Sequence, residues 1–315
     1  MTTPSVSYKT KLGKAFNAPV EEFLDSRSGK LTRGKVQLLF TSPPFPLLRK
    51  KSYGNKTGIE YLEWLRDLAP KFRDLLTDDG SIVIEIGNAW ESGKPVMSTL
   101  PNESLLEFLK AADLNLCQQF ICHNPARLPS PTQWVNRERI RVKDSFTQVW
   151  WMSPSERPKA NNREVLVPYS DSMKKLIKRG SYNSGDRPSE HSIGETSFNR
   201  DNGGAIPPSV LEIANTNSRS PYRNYCKAKG ITPHPAPMPE KLAEFFIKFL
   251  TEPGDLIFDP FAGSNTTGAV AESLERKWIA TEPKEEYLEG SKGRFPEFAP
   301  EHHPTALKLP FNKTA

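Results

Sequence analysis

Short apolar runs alternate with amphipathic segments along most of the chain, and this alternation predicts strands and helices in turn. Apolar runs bounded by polar turns predict buried strands at Lys35–Phe40, Ser81–Ile86, Cys117–Cys122, Phe146–Met152, Asp255–Phe258 and Lys277–Thr281. Apolar residues at helical spacing predict helices across Tyr61, Leu65, Leu68, Phe72 and Leu75, over Glu103–Ala112, and across Leu242, Phe245, Phe246, Phe249 and Leu250. The chain is therefore predicted to be an α/β protein with a doubly wound, mostly parallel sheet.

The regular pattern stops between residues 153 and 235, where Pro, Gly, Ser, Asn and Arg are frequent. One stretch there predicts a helix, with Met173, Leu176 and Ile177 on one side. Its other side is basic and holds Lys174, Lys175, Lys178 and Arg179. We therefore divide the chain into residues 1–152 and 231–298 as two halves of one α/β domain, 153–230 as an irregular insertion, and 299–315 as a tail.

Composition describes a globular protein, since 36% of the 315 residues are hydrophobic and 25% are charged. No apolar stretch is long enough to span a membrane and the first residues lack the apolar core of a signal peptide, so we expect a cytoplasmic protein. Cys117, Cys122 and Cys226 are odd in number and lack metal-ligand spacing, which predicts reduced thiols. The five histidines are scattered or lie in the tail, so no metal site is expected.

The net charge of +6 is concentrated in the middle of the chain. Between Arg127 and Lys227 there are 17 Lys and Arg against 10 Asp and Glu, a surplus of +7; the remainder has 26 against 27, or −1. A localised basic surface suits a polyphosphate partner such as nucleic acid, because each neutralised phosphate releases counterions. A solvated charged face remains the alternative.

A glycine-rich loop, Asp259–Gly268, follows the predicted strand that ends at Phe258. Ala269 stands where a phosphate-binding P-loop needs Lys, and Gly-x-Gly-x-x-Gly is absent, which disfavours nucleoside triphosphates and NAD. A strand, a glycine turn and a helix N-terminus instead suit the aminocarboxylate end of S-adenosylmethionine. Glu282 follows the next strand, 19 residues after Gly263, where a carboxylate can accept hydrogen bonds from ribose hydroxyls. Alone, Glu282 would better fit an exposed acid at a strand end, and its place after the glycine loop favours the ribose role.

The motif Ser42-Pro43-Pro44-Phe45 follows the first predicted strand and can hold an amine. The exocyclic amine of a base is a weak nucleophile because its lone pair is delocalised into the ring. If the Ser42 hydroxyl and the Pro43 carbonyl accept its two N–H groups, the nitrogen becomes tetrahedral and its lone pair can meet a methyl group in line. Phe45 offers a face on which an extruded base can stack. The motif alone also fits a proline turn, but its place at a strand end beside a glycine loop favours amine binding.

Motifs spread from about residue 9 to about residue 295 give the chain a resemblance to a known family. They are Thr41–Phe45 with Arg49–Asn55, Leu128–Pro131, Trp134–Asn136, Ile140–Asp144, Pro168–Asp171, Asp201–Gly204, Ile206–Pro208, His234–Ala236 and Gly263–Gly268. The chain resembles the β-class DNA amino-methyltransferases, in which the catalytic region precedes the target-recognition and cofactor regions. Within that class it is similar to the PvuII-type cytosine-N4 methyltransferases.

The resemblance implies a fold of the S-adenosylmethionine-dependent methyltransferase type, with residues 153–230 recognising the target. It implies transfer of a methyl group from S-adenosylmethionine to N4 of a flipped cytosine at a specific site in duplex DNA. It also implies a catalytic loop of Ser42, Pro43, Pro44 and Phe45, a methionine pocket of Asp259, Phe261, Gly263 and Ser264, a ribose clamp at Glu282, and a closing segment with His234 and Pro235. One departure is Lys14 after Gly13, where such enzymes carry an acid that helps to hold the adenine of the cofactor.

Duplex DNA is the implied partner, and a cognate restriction endonuclease is a functional partner that the resemblance allows. Arg137, Arg139, Arg141 and Lys143 alternate along a predicted extended segment and would present one charged face to phosphates. The basic face of the predicted helix at Lys174 is a second candidate for phosphate contacts. Candidates for reading base edges are Arg187, His191, Asn199, Arg200, Asn202 and Arg219.

Three alternatives remain open from the sequence. An adenine-N6 methyltransferase is the nearest, since adenine presents a similar amine, although adenine enzymes usually have Asp at the position of Ser42. An RNA or protein-glutamine methyltransferase usually places the cofactor loop before the amine loop. A non-enzymatic DNA-binding module would explain the basic middle of the chain but would leave both loops and Glu282 without a purpose.

Overall fold

The computed structural model describes residues 4–45, 56–194, 198, 200–215 and 220–298. The chain forms two compact units by its internal contacts, Met1–Ala160 with Ser209–Ala315, and Asn161–Pro208. We call them the larger and the smaller unit. The predicted motif Arg49–Asn55, the candidates Asn199 and Arg219, and the tail from residue 299 lie outside the described residues.

The strands and helices follow one another in an α/β order, as the sequence pattern predicts. The strands are β1 Ser5–Lys9, β2 Gly13–Asn17, β3 Val36–Thr41, β4 Leu76–Gly87, β5 Asn115–His123, β6 Phe146–Ser153, β7 Gly185–Asp186, β8 Ser192–Ile193, β9 Val210–Glu212, β10 Leu256–Asp259 and β11 Lys277–Glu282. The helices are α1 Val20–Asp25, α2 Arg27–Thr32, α3 Gly58–Arg73, α4 Leu100–Ala112, α5 Asp171–Arg179, α6 Pro221–Lys229, α7 Glu240–Leu250, α8 Thr266–Ser273 and α9 Glu285–Ser291.

A nine-stranded sheet forms the centre of the larger unit, in the order β1-β2-β11-β10-β3-β4-β6-β5-β9. The run from β2 to β4 is parallel, and β6 is antiparallel to both β4 and β5. Strand β10 therefore pairs with β3 on one side and with β11 on the other. Because parallel strands end at the same edge of a sheet, the segments that follow β3, β10 and β11 meet there.

Both faces of the sheet are covered, which explains why its central strands are almost continuously apolar. Leu38 and Phe40 of β3 point into a cluster with residues of α7, α8 and α9. The alternate residue Leu39 points into a second cluster with residues of α1, α3 and α4. Successive side chains of a strand face opposite sides, so the two clusters form the layers above and below the sheet.

Most of the predicted elements agree with the structure, and three features differ. Strand β4 begins at Leu76 rather than at the predicted Ser81, and its pairing with β3 shifts between Leu76 and Ser81. Residues 4–34, for which no element was predicted, contribute β1, β2, α1 and α2. Helix α6 was missed in the irregular region, although Ser220 caps its start and Gly230, with φ of 66°, ends it.

The smaller unit contains α5, the β7-β8 hairpin and a bridge between Val167 and Ala205. Ser170 accepts a hydrogen bond from the backbone N–H of Met173 at the start of α5, and Gly180, with φ of 67°, ends the helix. The predicted insertion, 153–230, is wider than this unit, because β9 pairs with β5 and α6 also belongs to the larger unit. Among the described helices, none is long and apolar enough to cross a membrane.

Candidate active site

The Ser42-Pro43-Pro44-Phe45 motif, predicted to bind an amine, and the glycine loop lie side by side because β3 and β10 are neighbours. The hydroxyl of Thr41, the last residue of β3, donates to Oδ1 of Asp259, the last residue of β10, at 2.7 Å. The same carboxylate oxygen accepts from the backbone N–H of Phe261 at 3.1 Å. Burial raises the pKa of Asp259 to about 6, against the lowering effect of these hydrogen bonds. Asp259 therefore fixes the geometry of both loops from beneath.

The glycine loop turns through two left-handed residues before it enters α8. Gly263 has φ of 51° and Asn265 has φ of 50°. The Asn265 side chain accepts from the backbone N–H of Gly268 at 3.1 Å, and its amide donates to the Tyr8 hydroxyl at 2.8 Å. A Cβ on Gly263 would lie 3.0 Å from Nε2 of His234, so the absence of a side chain leaves room for that ring. Loop and histidine thus fit closely.

Glu282 ends β11 and faces the glycine loop. Its Oε2 accepts from the backbone N–H of Gly263 at 3.0 Å, and its Oε1 accepts from that of Lys284 at 2.9 Å. Burial raises the pKa of Glu282, and the two backbone hydrogen bonds partly offset this. Each carboxylate oxygen can accept more than one hydrogen bond, so both remain able to take a hydroxyl from a ligand. Glu282 also lines the main cavity described below.

His234 is held between α6 and α9 and lines the same cavity. Its backbone N–H donates to the Tyr222 hydroxyl at 2.6 Å, and its ring packs edge-to-face on Tyr287 with centroids 4.7 Å apart. Burial lowers the pKa of His234 to about 4, so the ring is neutral near pH 7. Its Nδ1 is buried and has no partner in the described part of the chain. A buried nitrogen of this kind is a hydrogen-bonding position for a ligand.

Arg294, in the turn after α9, anchors the glycine loop from the C-terminal side. Its guanidinium donates to the backbone carbonyl of Ser264 at 2.7 Å and to the Ser264 hydroxyl at 3.0 Å. It also pairs with Glu240 at 3.0 Å and lies over the Tyr222 ring, 4.6 Å from the centroid. Four segments distant in sequence therefore meet at one buried cation. Ser264 faces a small adjoining cavity with Asp259, whereas Arg294 lines the main one.

A buried acid lies beneath the amine-binding motif. Glu85, on β4, accepts a hydrogen bond from Thr147 at 2.8 Å and another from the Ser42 hydroxyl. Burial raises the pKa of Glu85, and these two hydroxyl bonds oppose the rise. When the Ser42 hydroxyl donates a hydrogen bond to Glu85, the Ser42 oxygen still has lone pairs that can accept a hydrogen bond from another donor. The pair can therefore present an acceptor to an amine.

One cavity of about 1100 Å³ connects these groups, and all of its wall belongs to the larger unit. Its wall includes Gly263, Glu282, His234 and Phe261 around the glycine loop, and Glu85 and Thr147 on β4 and β6. Ser42, Pro43, Pro44, Phe45 and Pro235 also belong to the wall. Small-molecule sites usually occupy about 300–1,000 Å³, so this space can take a cofactor and a second group.

The predicted DNA-binding residues fall into two sets. The extended segment predicted for Arg137–Lys143 is wrong: Gln133–Arg137 is a π-helical turn, and Arg139 has φ of 57°, which reverses the chain. Local backbone hydrogen bonding outweighs the charge alternation here, since both Ile140 and Arg141 donate to the Trp134 carbonyl. The residues of the second set all lie in the smaller unit. Arg187 is half-buried, and the exposed ones are Lys174, Lys175, Lys178, Arg179, His191, Arg200 and Asn202.

Lys14 lies away from the edge where the loops meet. It pairs with Ile279 in the parallel register of β2 and β11, whereas Asn17 is the residue opposite Glu282. The Asn17 amide donates to the backbone carbonyls of Glu282 and Pro283 at 3.2 and 3.1 Å. The strand end that faces the cofactor loop is therefore occupied by an amide.

Glu85 and Arg294 are the site residues that the sequence reasoning missed. An acid inside the apolar strand Ser81–Ile86 was a detectable signal, because burying a carboxylate is costly unless it has partners. Arg294 gave no such signal, since its partners come from segments far away in the chain. In the described residues, no group of three His, Cys, Asp or Glu could hold a metal ion.

A family model described as DNA methylase matches residues 36–293. The type II methyltransferase M.PvuII of Proteus hauseri is 45% identical over 291 residues, which cover 92% of this chain and 85% of that protein. The type II methyltransferase M.BglII of Bacillus subtilis is 24% identical over 287 residues, covering 91% and 69%.

Solved structures agree with the sequence matches. The PvuII DNA methyltransferase, described as cytosine-N4-specific, superposes with a TM-score of 0.74 and 38% identity over 93% of this chain and 89% of that one. The complex of M1.HpyAVI with S-adenosylmethionine superposes with a TM-score of 0.52 and 18% identity over 90% and 98%, which supports the fold.

Proposed function

This chain belongs to the DNA methylase family, and on that premise we propose that it transfers a methyl group from S-adenosylmethionine to N4 of cytosine at a specific site in duplex DNA. The observation that supports this best is the single cavity in which Ser42 and Glu85 lie beside the glycine loop and Glu282. The nearest alternative, adenine-N6 methylation, has less support, because the relative that matches most of the chain in both sequence and structure is named cytosine-N4-specific.

The residues that line the cavity around the glycine loop fit S-adenosylmethionine. The neutral His234 ring leaves Nδ1 without a partner, and Gly263 leaves the space that a side chain would fill. The Glu282 carboxylate can accept ribose hydroxyls, and Asp259, Phe261, Ser264 and Pro235 complete the wall around the methionine end. When bound, the cofactor supplies an electrophilic methyl group on a sulfonium.

Ser42 and the Pro43 carbonyl would hold the cytosine amine. Glu85 accepts a hydrogen bond from the Ser42 hydroxyl, so the lone pairs of the Ser42 oxygen are available to accept an N–H of the amine. With its second N–H on the Pro43 carbonyl, the amine nitrogen becomes tetrahedral and its lone pair is freed for the methyl group. Phe45 lies against Gly87 in the wall and offers a ring face to the base.

A proton must leave the amine once the new C–N bond forms. Ser42 can accept it while passing its own hydroxyl proton to Glu85, so the buried carboxylate becomes a neutral carboxylic acid. Burial raises the pKa of Glu85, which makes it a better proton acceptor than an ordinary carboxylate. No protein atom has to form a covalent bond to the base.

Methylation-aware sequencing of DNA from cells that express the chain tests this function. We expect N4-methylcytosine at one short sequence motif, and no such motif in DNA from cells that express the Ser42→Ala variant. Detection of N6-methyladenine at a motif would instead identify adenine as the substrate base. The absence of any modified base, with the protein soluble and binding S-adenosylmethionine by calorimetry, would overturn the proposal.

We also propose that target recognition resides in residues 153–230, with the smaller unit as its compact part. This unit contains the basic face of α5 and exposed polar side chains that suit base edges. Exchanging residues 161–208 for those of a related enzyme should change the methylated motif and leave the amine chemistry unchanged. A chimera that folds, binds cofactor and still methylates the original motif would contradict this assignment.

A cytoplasmic location and a restriction endonuclease that cuts the same site complete the proposal. Both are supported by the relatives, which are named type II methyltransferases. Plasmid DNA from cells that express the wild-type chain should resist cleavage by one sequence-specific endonuclease. Plasmid DNA from cells that express the Ser42→Ala variant should be cleaved. Cleavage of both DNAs by every endonuclease that overlaps the methylated motif would remove the protective role.

A further inference from the structure

Aliphatic side chains are exposed on three segments, one of which directly follows a residue of the cavity wall. Leu128 is 80% exposed and Val142 is 87% exposed. Single exposed aliphatic residues are common, but a contiguous apolar surface marks a contact site. We call the set the rim patch, and its members are Val96, Met97, Leu128, Ile140 and Val142.

Side-chain hydrogen bonds to the backbone tie together the segments that carry the rim patch. The Arg141 guanidinium donates to the Pro95 carbonyl at 2.8 Å, which joins the segment around Val142 to the loop around Val96. The Lys143 ammonium donates to the carbonyls of Pro125 and Arg127 at 3.1 and 3.2 Å. The residues on either side of Val142 are therefore tied to two different loops, and Leu128 directly follows one of the tied residues.

The surroundings of the rim patch are basic, which identifies the kind of partner. Residues 124–145 contain five basic residues, Arg127, Arg137, Arg139, Arg141 and Lys143, and two acids. Asp144 pairs with Arg127, but in the described part of the chain the other four basic residues form no ion pair. Apolar side chains surrounded by unpaired cations suit a duplex, whose apolar base stack lies between two phosphate backbones. A protein partner would have to bring many acids to the same place.

The rim patch lies next to the part of the cavity that would receive the target base. Asn124 and Arg127 line that cavity together with Ser42 and Glu85. Leu128 therefore directly follows Arg127, a residue of the cavity wall. A base that leaves the helix to enter such a cavity breaks its pairing and stacking and leaves a gap in the stack. Apolar wedges fill gaps of this kind in other DNA-binding proteins.

We propose that Leu128 and Val142 enter the base stack of duplex DNA at the position vacated by the target cytosine. The proposal rests on the proposed function, because it takes the flipped base to be a cytosine bound between Ser42 and Phe45. The two side chains stabilise the extruded state by replacing the lost stacking contacts. They have no part in cofactor binding or in the chemistry at the amine.

The test compares methylation of paired and unpaired cytosines. The variant is the Leu128→Ala, Val142→Ala double substitution, and the matched control is Leu31→Ala, a 59% exposed leucine on α2 that does not line the cavity. The probes are two duplexes containing the motif found by sequencing, one with the target cytosine opposite guanine and one with it opposite an abasic position. Single-turnover methylation is measured with saturating S-adenosylmethionine and enzyme.

We expect the double variant to methylate the paired duplex at least about tenfold more slowly than the wild type. On the unpaired cytosine it should come within about threefold of the wild type, because that base needs no wedge to leave the stack. The Leu31→Ala control should match the wild type on both duplexes. This pattern differs from general misfolding, which would slow both reactions equally.

Three outcomes would overturn the wedge. Equal rates for the double variant and the wild type on the paired duplex would show that the two side chains do not assist flipping. Equal slowing on both duplexes would assign them to general DNA binding. A wild-type dimer that the double variant converts to a monomer, with unchanged rates, would assign the rim patch to a second copy of the chain. Failure of the wild type and the control on both duplexes would instead overturn the proposed function, and the wedge with it.

Discussion

Thr41 and Asp259, 218 positions apart in the chain, are joined by a hydrogen bond of 2.7 Å between the ends of two neighbouring strands. Both side chains are buried. The carboxylate also accepts from the backbone of Phe261, so the contact links the amine-binding motif to the cofactor loop through one group. Such a link sets the distance between the two loops more firmly than either loop could alone.

The first prediction concerns Thr41→Val, which keeps the shape of the side chain and removes the hydroxyl. We expect the free energy of unfolding to fall by about 1–3 kcal/mol, because a buried carboxylate loses a donor. Affinity for S-adenosylmethionine should fall as well, since the Asp259 carboxylate orients the cofactor loop. Urea unfolding and calorimetry measure the two effects. Thr41→Ser, which retains the hydroxyl, should recover most of both, and equal losses for Val and Ser would point to packing instead.

Ser42→Ala should leave both ligands bound and remove most of the turnover. The Ser42 oxygen contributes chiefly as the amine becomes tetrahedral, so its loss should cost roughly 2–4 kcal/mol of transition-state stabilisation. Single-turnover methylation measures this loss, while calorimetry and DNA titration should give dissociation constants close to those of the wild type. A near wild-type single-turnover rate would remove Ser42 from the mechanism.

Glu282→Ala should weaken S-adenosylmethionine by on the order of 1.5–3 kcal/mol, because ribose hydroxyls lose a charged acceptor. DNA affinity measured without cofactor should change little. Glu282 also accepts from the backbone of Gly263 and Lys284, so Glu282→Gln, which keeps one carbonyl oxygen, is the matched comparison. We expect Gln to fall between Ala and the wild type. Equal damage to cofactor and DNA binding would indicate a purely structural role.

The neutral His234 ring predicts a pH dependence of stability. Its pKa in the folded protein is lowered by burial to about 4, below the ordinary value of about 6.5. Between these values the unfolded chain binds more protons than the folded one, so this contribution to stability is complete above pH 6.5 and is lost as the pH falls toward 4. The expected loss is on the order of 3 kcal/mol.

His234→Phe keeps an aromatic ring against Tyr287 and removes the titrating nitrogens. Urea unfolding of the wild type and the variant between pH 7 and pH 4.5 measures the difference. The wild type should lose more stability on acidification than the variant does. Parallel curves would show that His234 is not the titrating group. The acids with raised pKa, Glu85, Asp259 and Glu282, act in the opposite direction and are common to both proteins.

The basic face of α5 should bind phosphates without reading sequence. Alanine substitution of Lys174, Lys175, Lys178 and Arg179 should lower affinity for cognate and non-cognate duplexes alike and flatten the dependence on salt. These side chains are exposed, so folding should be unaffected. The control replaces Lys30, Arg33 and Lys35, exposed residues on α2 and in the turn that leads from it to the amino end of β3. Loss of affinity for one sequence only would mean that α5 reads bases.

Much of the fold could be predicted because its sheet is buried on both faces. Strands β3, β10 and β11 are short apolar runs that end in polar motifs, and their predicted limits agree with the structure to within one residue. The half-exposed elements were harder. Helix α6 has few aliphatic residues, and β1 and β2 lie near an edge of the sheet, where the apolar signal is weaker.

The sequence alone determined which chemistry the two loops could perform. Ser42-Pro43-Pro44-Phe45 and Asp259–Gly268 are contiguous motifs. The chemistry predicted for each depends on local backbone geometry and on side chains within a few residues of each other. The order in which they occur, with the amine motif first, was also readable. These are properties of short segments, and short segments are what a sequence specifies directly.

Only the tertiary structure decided which distant groups complete the site. Glu85 reaches Ser42 because β4 pairs with β3, and Arg294 reaches Ser264 because the C-terminal turn folds back onto the glycine loop. The tertiary structure also shows that the segment Arg137–Lys143, predicted to be extended, reverses direction at Arg139 and carries the exposed aliphatic residues Ile140 and Val142. Such contacts depend on strand order and on hydrogen bonds between segments far apart in the chain, and no local pattern of residues encodes them.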